Sequence, residues 1–519
     1  MLPAFANEPF TDFSIPANVD HFRQTLEMVK AQLGRKYPLQ LGGEPRWTDE
    51  TFDSINPARP AEVVGIFARG RKTDAEQAVV MAEHAFEHWQ HVPFVERARY
   101  LLRAAAGMRR RKHEFSAWMV YEIGKSWVEA DVDTCETIDF LEYYARQALR
   151  LEHASDVIVP FAGEQNQLAY IPLGVGVVIP PWNFPNAIMA GMTSAALVSG
   201  NAVVLKPSSL TPTIAYKFCE LFWEQGLPPG VLNFCPGPGG AIGDTLVDHP
   251  RTRFISFTGS KEVGIRIFER AAKVHPGQKW LKRTILEMGG KDAVLVDETA
   301  DLDAAAEGIV TSAFGFQGQK CSAGSRAILV EAIYEPLVEK VVERARKLTQ
   351  GATDLGPHIH QGPVADKHAR QTVLDYIEIG TQEGKLLLGG HPLTTSDGGY
   401  FIEPTIFGDV PWNARIAQEE IFGPVLTLVK AADFEDGLRI VNSTEFGLTG
   451  ALYSRNRAHI EQARRQFHVG NLYFNRKCTG ALVGVQPFGG FNMSGTDSKA
   501  GGSDYLYLFT QAKSITERW

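Results

Sequence analysis

The amino-acid sequence predicts an α/β fold built on two open parallel sheets. Between Val175 and Phe257, short apolar strands alternate with helical segments. Strands that alternate with helices indicate crossover connections and therefore a parallel sheet. The alternation begins again after Gly289 and continues to Tyr453, which indicates a second α/β unit. A chain of 519 residues is long enough for two or three domains.

Helices dominate the part of the chain before the first sheet. We expect residues 1–37 to form an N-terminal arm, with a helix from Val19 to Leu33. Thr73 and Glu76 have the spacing of a capping box, which predicts the start of the next helix. The further helices are expected at Thr73–Trp89, Val95–Lys112 and Ser126–Leu151.

A β-hairpin is expected between these helices and the first sheet. Asp156–Phe161 and Gln167–Pro172 are rich in β-branched and aromatic residues, and a turn sequence separates them. We expect the hairpin to contact another subunit and the extended tail Gly501–Trp519 to pair with it. The expected division is 154–172 and 501–519 for this oligomerisation element, 38–153 and 173–288 for a cofactor domain, and 289–500 for a catalytic domain.

The strands of the first sheet lead into residues that suit a nucleotide. The expected strands are Val175–Ile179, Ala202–Lys206, Leu232–Cys235 and Arg253–Phe257, with helices at Asn186–Val198, Pro212–Gln225 and Ile242–Val247. Ligands bind such sheets at the carboxyl ends of the strands, where helix N-termini offer N–H groups to anions. The four junctions are Pro180–Pro185, Lys206–Ser209, Gly237–Gly240 and Phe257–Ser260. Together they predict a Rossmann-type cofactor site, although the spacing of Gly237, Gly239 and Gly243 is one residue longer than the usual fingerprint.

Cys321 is the candidate nucleophile of the second unit. A helix is expected from Ala304 to Phe316, and Cys321 follows it in a polar turn that contains glycine. A reactive thiolate needs such surroundings, because apolar burial raises the pKa of a thiol. Glu287, next to Gly289, is a candidate base for the thiol or for a water molecule. The alternatives are a small buried apolar cysteine and an ordinary surface acid.

Composition excludes several classes of protein. The net charge of −8 comes from scattered acids, and no basic face indicates nucleic-acid binding. The five cysteines are far apart and form no C-x-x-C pair, which argues against a disulfide framework and against a metal site. We see no signal peptide and no apolar run of about 20 residues that would span a membrane. The expected location is the cytoplasm.

Seven motifs in one order identify a family. They are Pro181–Pro185, Lys206–Ser209, Phe257–Ser260, Leu286–Lys291, Gly318–Cys321, Glu419–Val425 and Pro487–Gly490. From about Pro38 to its C-terminus the chain resembles the aldehyde dehydrogenase superfamily. The resemblance implies that Cys321 attacks an aldehyde to form a thiohemiacetal and then a thioester. It also implies that Asn183 and the backbone N–H of Cys321 hold the oxyanion and that Glu287 activates the hydrolytic water.

The resemblance implies NAD as the cofactor. Lys206 would bind the adenosine ribose, Glu420 the nicotinamide ribose, and Phe422 would pack near the nicotinamide. The implied cofactor residues are Ile179, Pro180, Pro181, Trp182, Lys206, Ser209, Gly239, Gly243, Phe257, Thr258, Gly259, Ser260, Val263, Glu420 and Phe422. Strictly NAD-dependent members usually have glutamate where this chain has Ser209. Serine does not repel a 2′-phosphate, so NADP is a second cofactor that the site would accept.

More specific segments resemble the 1-pyrroline-5-carboxylate dehydrogenase branch, which oxidises L-glutamate γ-semialdehyde to L-glutamate in proline breakdown. These segments are Asp139–Ala145, Phe316–Ser322 and Gly470–Gly490. The resemblance implies that the N–H groups of Gly480 and Ala481, with the Ser322 hydroxyl, bind the substrate carboxylate as a small anion nest. Glu142 would bind the ammonium group, and Phe184 and Phe488 would clamp the aliphatic middle.

Other functions stay open at this point. One is oxidation of another semialdehyde, such as succinate semialdehyde, and one from a different class is a cysteine hydrolase or esterase that needs no cofactor. A non-catalytic protein that keeps the fold is a third. The resemblance also implies a homodimer, hexamers in this branch, and functional coupling to a proline dehydrogenase.

Overall fold

The computed structural model describes residues 2–152 and 158–519. Its α-helices are Pro16–Lys30, Lys72–Trp89, Phe94–Arg110, Lys112–Ile123, Trp127–Leu151, Ala187–Val198, Pro212–Glu224, Asp244–Asp248, Lys261–Ala271, Leu302–Phe314, Tyr334–Ala345, Lys367–Glu383, Arg415–Gln418, Phe434–Val441 and Arg457–Gln466. The helix predicted from the Thr73 capping box begins at Lys72, directly after its N-cap, Arg71. That prediction of the cap is wrong, because the Asp74 carboxylate accepts the hydrogen bond from the Arg71 backbone N–H.

The first sheet has seven strands and confirms the predicted fold class. In spatial order they are Arg283–Glu287, Thr252–Thr258, Val175–Ile179, Ala202–Leu205, Leu232–Phe234, Leu39–Leu41 and Glu44–Arg46. The strands from Arg283–Glu287 to Leu232–Phe234 are parallel, whereas the last two are antiparallel. The sequence did not predict the strand that ends at Glu287 or the antiparallel edge.

The second sheet also has seven strands. Their spatial order is Lys385–Leu388, Thr405–Gly408, Val425–Ala431, Arg326–Val330, Ala293–Val296, Thr449–Tyr453 and Asn471–Phe474. All neighbours are parallel except the first pair. A smaller sheet holds Arg35–Tyr37, Arg59–Ala68 and Thr51–Asn56. Short strand pairs form between Pro392–Leu393 and Phe401–Ile402, and between Phe446–Gly447 and Phe491–Asn492.

Apolar strands explain why helices cover both sheets. Every residue of Ala202–Leu205 and of Ala293–Val296 is buried, as expected for strands that have helices on both faces. Trp89, Trp118 and Trp127 lie in the large core beside the first sheet. Separate apolar clusters pack on the two faces of the second sheet.

The predicted hairpin is wrong, but the predicted role of the tail in pairing is confirmed. Glu164–Pro172 pairs antiparallel with Thr510–Arg518 along its whole length. Of the expected first arm, positions 156 and 157 lie outside the described residues, 158–160 are not in a strand, and Phe161 forms only an isolated bridge to Glu164. Pro160 has no N–H group for a ladder, which disfavours a strand there. The tail is extended only from Thr510, because Tyr505–Phe509 is a 3₁₀ helix.

Within the described residues, no helix has both the length and the apolar character needed to cross a membrane. The same part of the chain holds no group of histidine, cysteine and acidic side chains arranged for a metal ion. Cys135, Cys219, Cys235 and Cys478 are buried free thiols, whereas Cys321 is half-buried.

Candidate active site

One cavity of about 500 Å³ lies at the carboxyl ends of the parallel strands of the first sheet. It is lined by Pro180, Pro181, Trp182, Asn183, Lys206, Ser208, Ser209, Leu210, Gly239, Phe257, Thr258, Gly259, Ser260, Val263, Met288, Gly289, Cys321, Glu420 and Phe422. The second unit contributes Cys321, Glu420 and Phe422. The cavity therefore joins the predicted cofactor junctions to the predicted nucleophile.

Two predicted cofactor residues do not line this cavity. Ile179 is the last residue of its strand, lies opposite Phe257, and packs against the apolar core. Gly243 ends the π-helical turn Gly239–Gly243, and it does not line the cavity, whereas Gly239 does. The implied cofactor residues did not include four others that line the cavity: Ser208 and Leu210, on either side of Ser209, and Met288 and Gly289, which follow Glu287.

The part of the cavity around Lys206 and Ser260, in the first unit, fits a dinucleotide. Lys206 is buried, and burial lowers the pKa of its ammonium group to about 8. Its Nζ donates to the Pro207 carbonyl at 3.2 Å. The helix Lys261–Ala271 begins at the cavity, where the Ser260 hydroxyl accepts from the Val263 N–H. A cation and a helix N-terminus suit the hydroxyls and phosphates of such a ligand.

Glu420 lies where the cavity meets the second unit. Its Oε1 accepts from the Gly290 N–H at 3.0 Å. A Cβ at Gly289 would stand 2.1 Å from Glu420 Oε2, so only glycine admits the carboxylate here. Burial raises the pKa of Glu420 to about 7. Phe422 has φ +58° and packs edge-on against Trp182, with ring centroids 5.4 Å apart.

Cys321 follows a tight turn rather than the end of a helix. The helix ends at Phe314, and the residues at 316 and 317 have φ of +49° and +55°. This conformation is uncommon for residues other than glycine. Burial raises the pKa of the Cys321 thiol, and the Asp292, Glu420 and Glu287 carboxylates add to the shift. A raised pKa favours the thiol over the thiolate, and the thiolate is the form that acts as a nucleophile.

Asn183 lies beside the Cys321 turn. Its buried side-chain amide donates to the Gln319 carbonyl at 3.0 Å. Because an amide nitrogen carries two hydrogens, one donor is left for a ligand. Both Asn183 and Cys321 line the cavity, so the structure brings this predicted pair together.

Glu287 is held just outside the cavity. Its carboxylate accepts from the Ser498 hydroxyl at 2.6 Å and from the Gly490 N–H at 3.2 Å. Burial raises the pKa of Glu287 to about 7, against these hydrogen bonds. The carboxylate must leave Ser498 and Gly490 before it can act on a group at Cys321.

The Glu142 carboxylate is already paired with two arginine side chains. Its position does not support the prediction that it contacts a ligand near Cys321. Its oxygens pair with Arg146 at 2.6 Å and with Arg109 at 3.3 Å. Arg109 also pairs with Glu8 of the N-terminal arm at 2.8 Å. Glu142 therefore lies on the face of its helix that the arm covers.

Glu136 is a carboxylate on the same helix that the sequence reasoning did not consider. It is half-buried, and burial raises its pKa to about 8 with a contribution from the Asp133 carboxylate. Asp133 pairs with the buried Lys125 at 2.8 Å. The Lys125 Nζ lies 3.8 Å from the centre of the Phe184 ring. Glu136 thus belongs to a charged cluster beside Phe184, and the signal for it was its spacing of three residues from Asp133 on one helix face.

The predicted carboxylate-binding residues lie beside the nucleophile. Ser322 follows Cys321, and its carbonyl accepts from the Cys478 thiol at 3.6 Å. Gly480 has φ +77°. Within the described chain, no residue accepts from the N–H groups of Gly480 and Ala481, so two successive donors are free for an anion. Phe488 is half-buried, and its backbone pairs with Ala500 at 2.8 and 2.7 Å.

The sequence and fold match known proteins. Residues 46–515 match the model of the Aldehyde dehydrogenase family. A 1-pyrroline-5-carboxylate dehydrogenase of Geobacillus thermodenitrificans strain NG80-2 is 59% identical over 522 residues and covers 100% of both chains. A structure of 1-pyrroline-5-carboxylate dehydrogenase from Thermus with bound NAD has a TM-score of 0.98 at 53% identity, with 100% of both chains covered. Proline utilization A from Bdellovibrio bacteriovorus has a TM-score of 0.96 at 42% identity, over 99% of this chain and 53% of its own.

Proposed function

The chain belongs to the aldehyde dehydrogenase family, and from this premise we propose that it oxidises L-glutamate γ-semialdehyde to L-glutamate with NAD. The semialdehyde is the open form of 1-pyrroline-5-carboxylate, which gives the full-length relatives their name. The observation that carries the proposal is the single cavity that runs from Lys206 and Ser260 to Cys321 and Asn183.

The proposed chemistry begins at Cys321. Its sulfur bonds to the aldehyde carbon, and the carbonyl electrons move to the oxygen to give a thiohemiacetal. The Asn183 amide and the Cys321 N–H stabilise that oxyanion, each by about 3–4 kcal/mol. NAD, when bound, would supply the hydride acceptor for this carbon, and loss of the hydride as the oxyanion electrons re-form the carbonyl would leave a thioester on Cys321.

Glu287 completes the proposed cycle. After its carboxylate turns away from Ser498 and Gly490, it takes a proton from water. The water oxygen bonds to the thioester carbon, the carbon–sulfur bond breaks, and the thiolate of Cys321 regains a proton. Glutamate is released as the acid product. The proton of the Cys321 thiol, whose pKa is raised, passes to solvent water as the sulfur bonds to the aldehyde carbon, so this step does not depend on Glu287.

We further propose the contacts of NAD. Lys206 binds the adenosine ribose, Glu420 the nicotinamide ribose, and Ser260 borders the pyrophosphate. Ser209 lines the cavity without a charge, so NADP is accepted as a second, poorer cofactor. The ratio of kcat/KM for NAD to that for NADP measures this preference directly.

The substrate contacts are proposed with one revision. The N–H groups of Gly480 and Ala481 and the Ser322 hydroxyl bind the α-carboxylate, while Phe184 and Phe488 enclose the methylene groups. Glu136, rather than Glu142, pairs with the α-ammonium group. A charged hydrogen bond of this kind contributes about 1.5–3 kcal/mol.

The substrate is tested by kinetics with two semialdehydes. The wild type should show a far higher kcat/KM for glutamate semialdehyde than for succinate semialdehyde. Glu136→Gln should raise KM for glutamate semialdehyde about 10–100-fold, because it loses the charged partner of the ammonium. Glu142→Gln is the matched control and should change KM less than twofold. Equal kcat/KM for both semialdehydes would reject the proposed substrate, and no effect of Glu136→Gln would reject the ammonium assignment.

The proposed base predicts a dependence of kcat on pH. Because the pKa of Glu287 is raised to about 7, the carboxyl is protonated and inactive below that pH. The rate should therefore rise as pH increases through about 7, well above the usual glutamate value of about 4.3. Steady-state kcat measured from pH 5 to 9 checks this prediction. A kcat that has already reached its plateau at pH 5 would contradict it.

The competing class makes a different product. A cysteine hydrolase or esterase would form no NADH from aldehyde and NAD, so NADH absorbance separates the two classes.

We also propose a cytoplasmic homodimer or higher oligomer that uses the ribbon formed by Glu164–Pro172 and Thr510–Arg518. The similarity to part of proline utilization A supports functional coupling to a proline dehydrogenase.

A further inference from the structure

We propose that the first part of the N-terminal arm, residues 2–15, is part of the substrate site, because Asn7 holds in place the loop that binds the substrate carboxylate. This loop is 480–486 and includes the free N–H groups of Gly480 and Ala481. The inference rests on the proposed function. Asn7 is a positioning residue, since it acts on the substrate through the loop.

Asn7 joins three parts of the chain. Its Nδ2 donates to the Val483 carbonyl at 3.0 Å and to the Asp139 carboxylate at 2.8 Å. The other oxygen of Asp139 accepts from the Glu8 N–H at 2.7 Å. Asp139 belongs to the helix Trp127–Leu151 and is 97% buried, with 3% exposure. Val483 follows Ala481 by two residues, so the hydrogen bond acts next to the proposed anion nest.

Further contacts of the arm reinforce this arrangement. The Phe5 ring packs edge-on against Tyr143, with centroids 5.1 Å apart. A Cβ at Gly484 would stand 2.9 Å from Tyr143 and 3.2 Å from Phe5, so the loop backbone lies directly against both rings. The Thr11 hydroxyl and N–H donate to Asp131 at 2.6 and 2.7 Å. The arm is thus fixed along the helix on both sides of Asn7.

Other contacts fix the rest of the loop, and the Arg476 guanidinium donates to the Gly480 carbonyl at 3.0 Å. The Gly484 N–H donates to the Gly501 carbonyl at 2.9 Å, and the Gly501 N–H donates to the Tyr144 hydroxyl at 2.8 Å. The hydrogen bond from the Asn7 amide to the Val483 carbonyl holds the loop on the side of the arm. Two adjacent N–H groups bind an anion well only when the backbone that carries them is fixed.

Asn7→Ala removes both side-chain hydrogen bonds and leaves every residue of the proposed chemistry intact. Two hydrogen bonds contribute about 2 kcal/mol, which corresponds to a rise of roughly 10–30-fold in KM for glutamate semialdehyde. The value of kcat should stay within twofold, because Cys321 and Glu287 are unchanged. Hydrogen–deuterium exchange at 482–486 should become faster than in the wild type.

Asn18→Ala is the matched control. The Asn18 amide donates to the Asp12 carbonyl inside the arm and does not touch the loop. The Asn18→Ala variant should leave KM and hydrogen–deuterium exchange at the loop unchanged.

Asn7→Asp combined with Asp139→Asn is a second test. The carboxylate at position 7 accepts from the amide at position 139, so the arm stays attached to the helix, but position 7 no longer donates to Val483.

The double variant should therefore keep the high KM of Asn7→Ala. The inference is overturned if the double variant regains the wild-type KM, if Asn7→Ala leaves KM unchanged, or if Asn18→Ala raises KM equally. These outcomes differ from failure of the proposed function, which would appear as a wild-type enzyme without preference for glutamate semialdehyde.

Discussion

Cys321→Ala should lower kcat for aldehyde oxidation by at least about 10⁴-fold, because the reaction then has no atom to form the thiohemiacetal or the thioester. Loss of a covalent nucleophile costs up to about 10⁶-fold in kcat in enzymes of this kind. Cofactor binding should persist, since Lys206, Ser260 and Glu420 are unchanged. NADH absorbance measures the rate, and titration of intrinsic fluorescence measures NAD binding.

Cys219→Ala is the control for this substitution. Cys219 is a buried thiol in the core beside the first sheet, so its loss tests the general effect of removing a cysteine. It should keep kcat within twofold, although the protein becomes less stable to heat. If the Cys321→Ala variant kept more than about 1% of the wild-type kcat, a residue other than Cys321 would be the nucleophile.

Glu287→Gln should separate the two halves of the reaction. Loss of a general base lowers the rate of its step by about 10²–10⁴-fold. The hydride leaves before water attacks, so one equivalent of NADH per site should form in a burst before turnover slows. Stopped-flow absorbance with saturating NAD and glutamate semialdehyde measures both phases.

An exposed acid provides the control for Glu287. Glu298 is exposed and follows the strand Ala293–Val296, and Glu298→Gln should leave both phases unchanged. If Glu287→Gln abolished the burst together with steady-state turnover, the carboxylate would act before hydride loss, as the base of the Cys321 thiol. The assignment to hydrolysis would then be wrong.

Local sequence signals were enough to locate the residues that line the cofactor side of the cavity. Lys206 and Ser260 directly follow strands whose apolar runs are visible in the sequence, and the strands place both at one edge of a sheet. Cys321 and Asn183 were linked by their motifs. Such signals lie within a few residues of the site they mark, so they survive without knowledge of the tertiary structure.

The misses depend on contacts between distant parts of the chain. Glu287 points to Ser498 and Gly490, which lie about 200 residues later, with separations of 211 and 203. The partner of the strand Glu164–Pro172 is the C-terminal tail, and the nearby turn sequence favoured the wrong partner. Glu142 and Glu136 lie on one helix, and the salt bridges of Glu142 to Arg146 and Arg109 form only in the folded chain.

The thioester on Cys321 is the central claim, and mass spectrometry of the quenched Glu287→Gln variant tests it most directly. The variant is mixed with NAD and glutamate semialdehyde and quenched in acid, which protonates the α-amine and prevents its attack on the thioester. The account predicts one added glutamyl group, of the mass of glutamate less water, on the peptide that contains Cys321. NADH formation in the burst with an unmodified Cys321, or with the added mass on another residue, would contradict it.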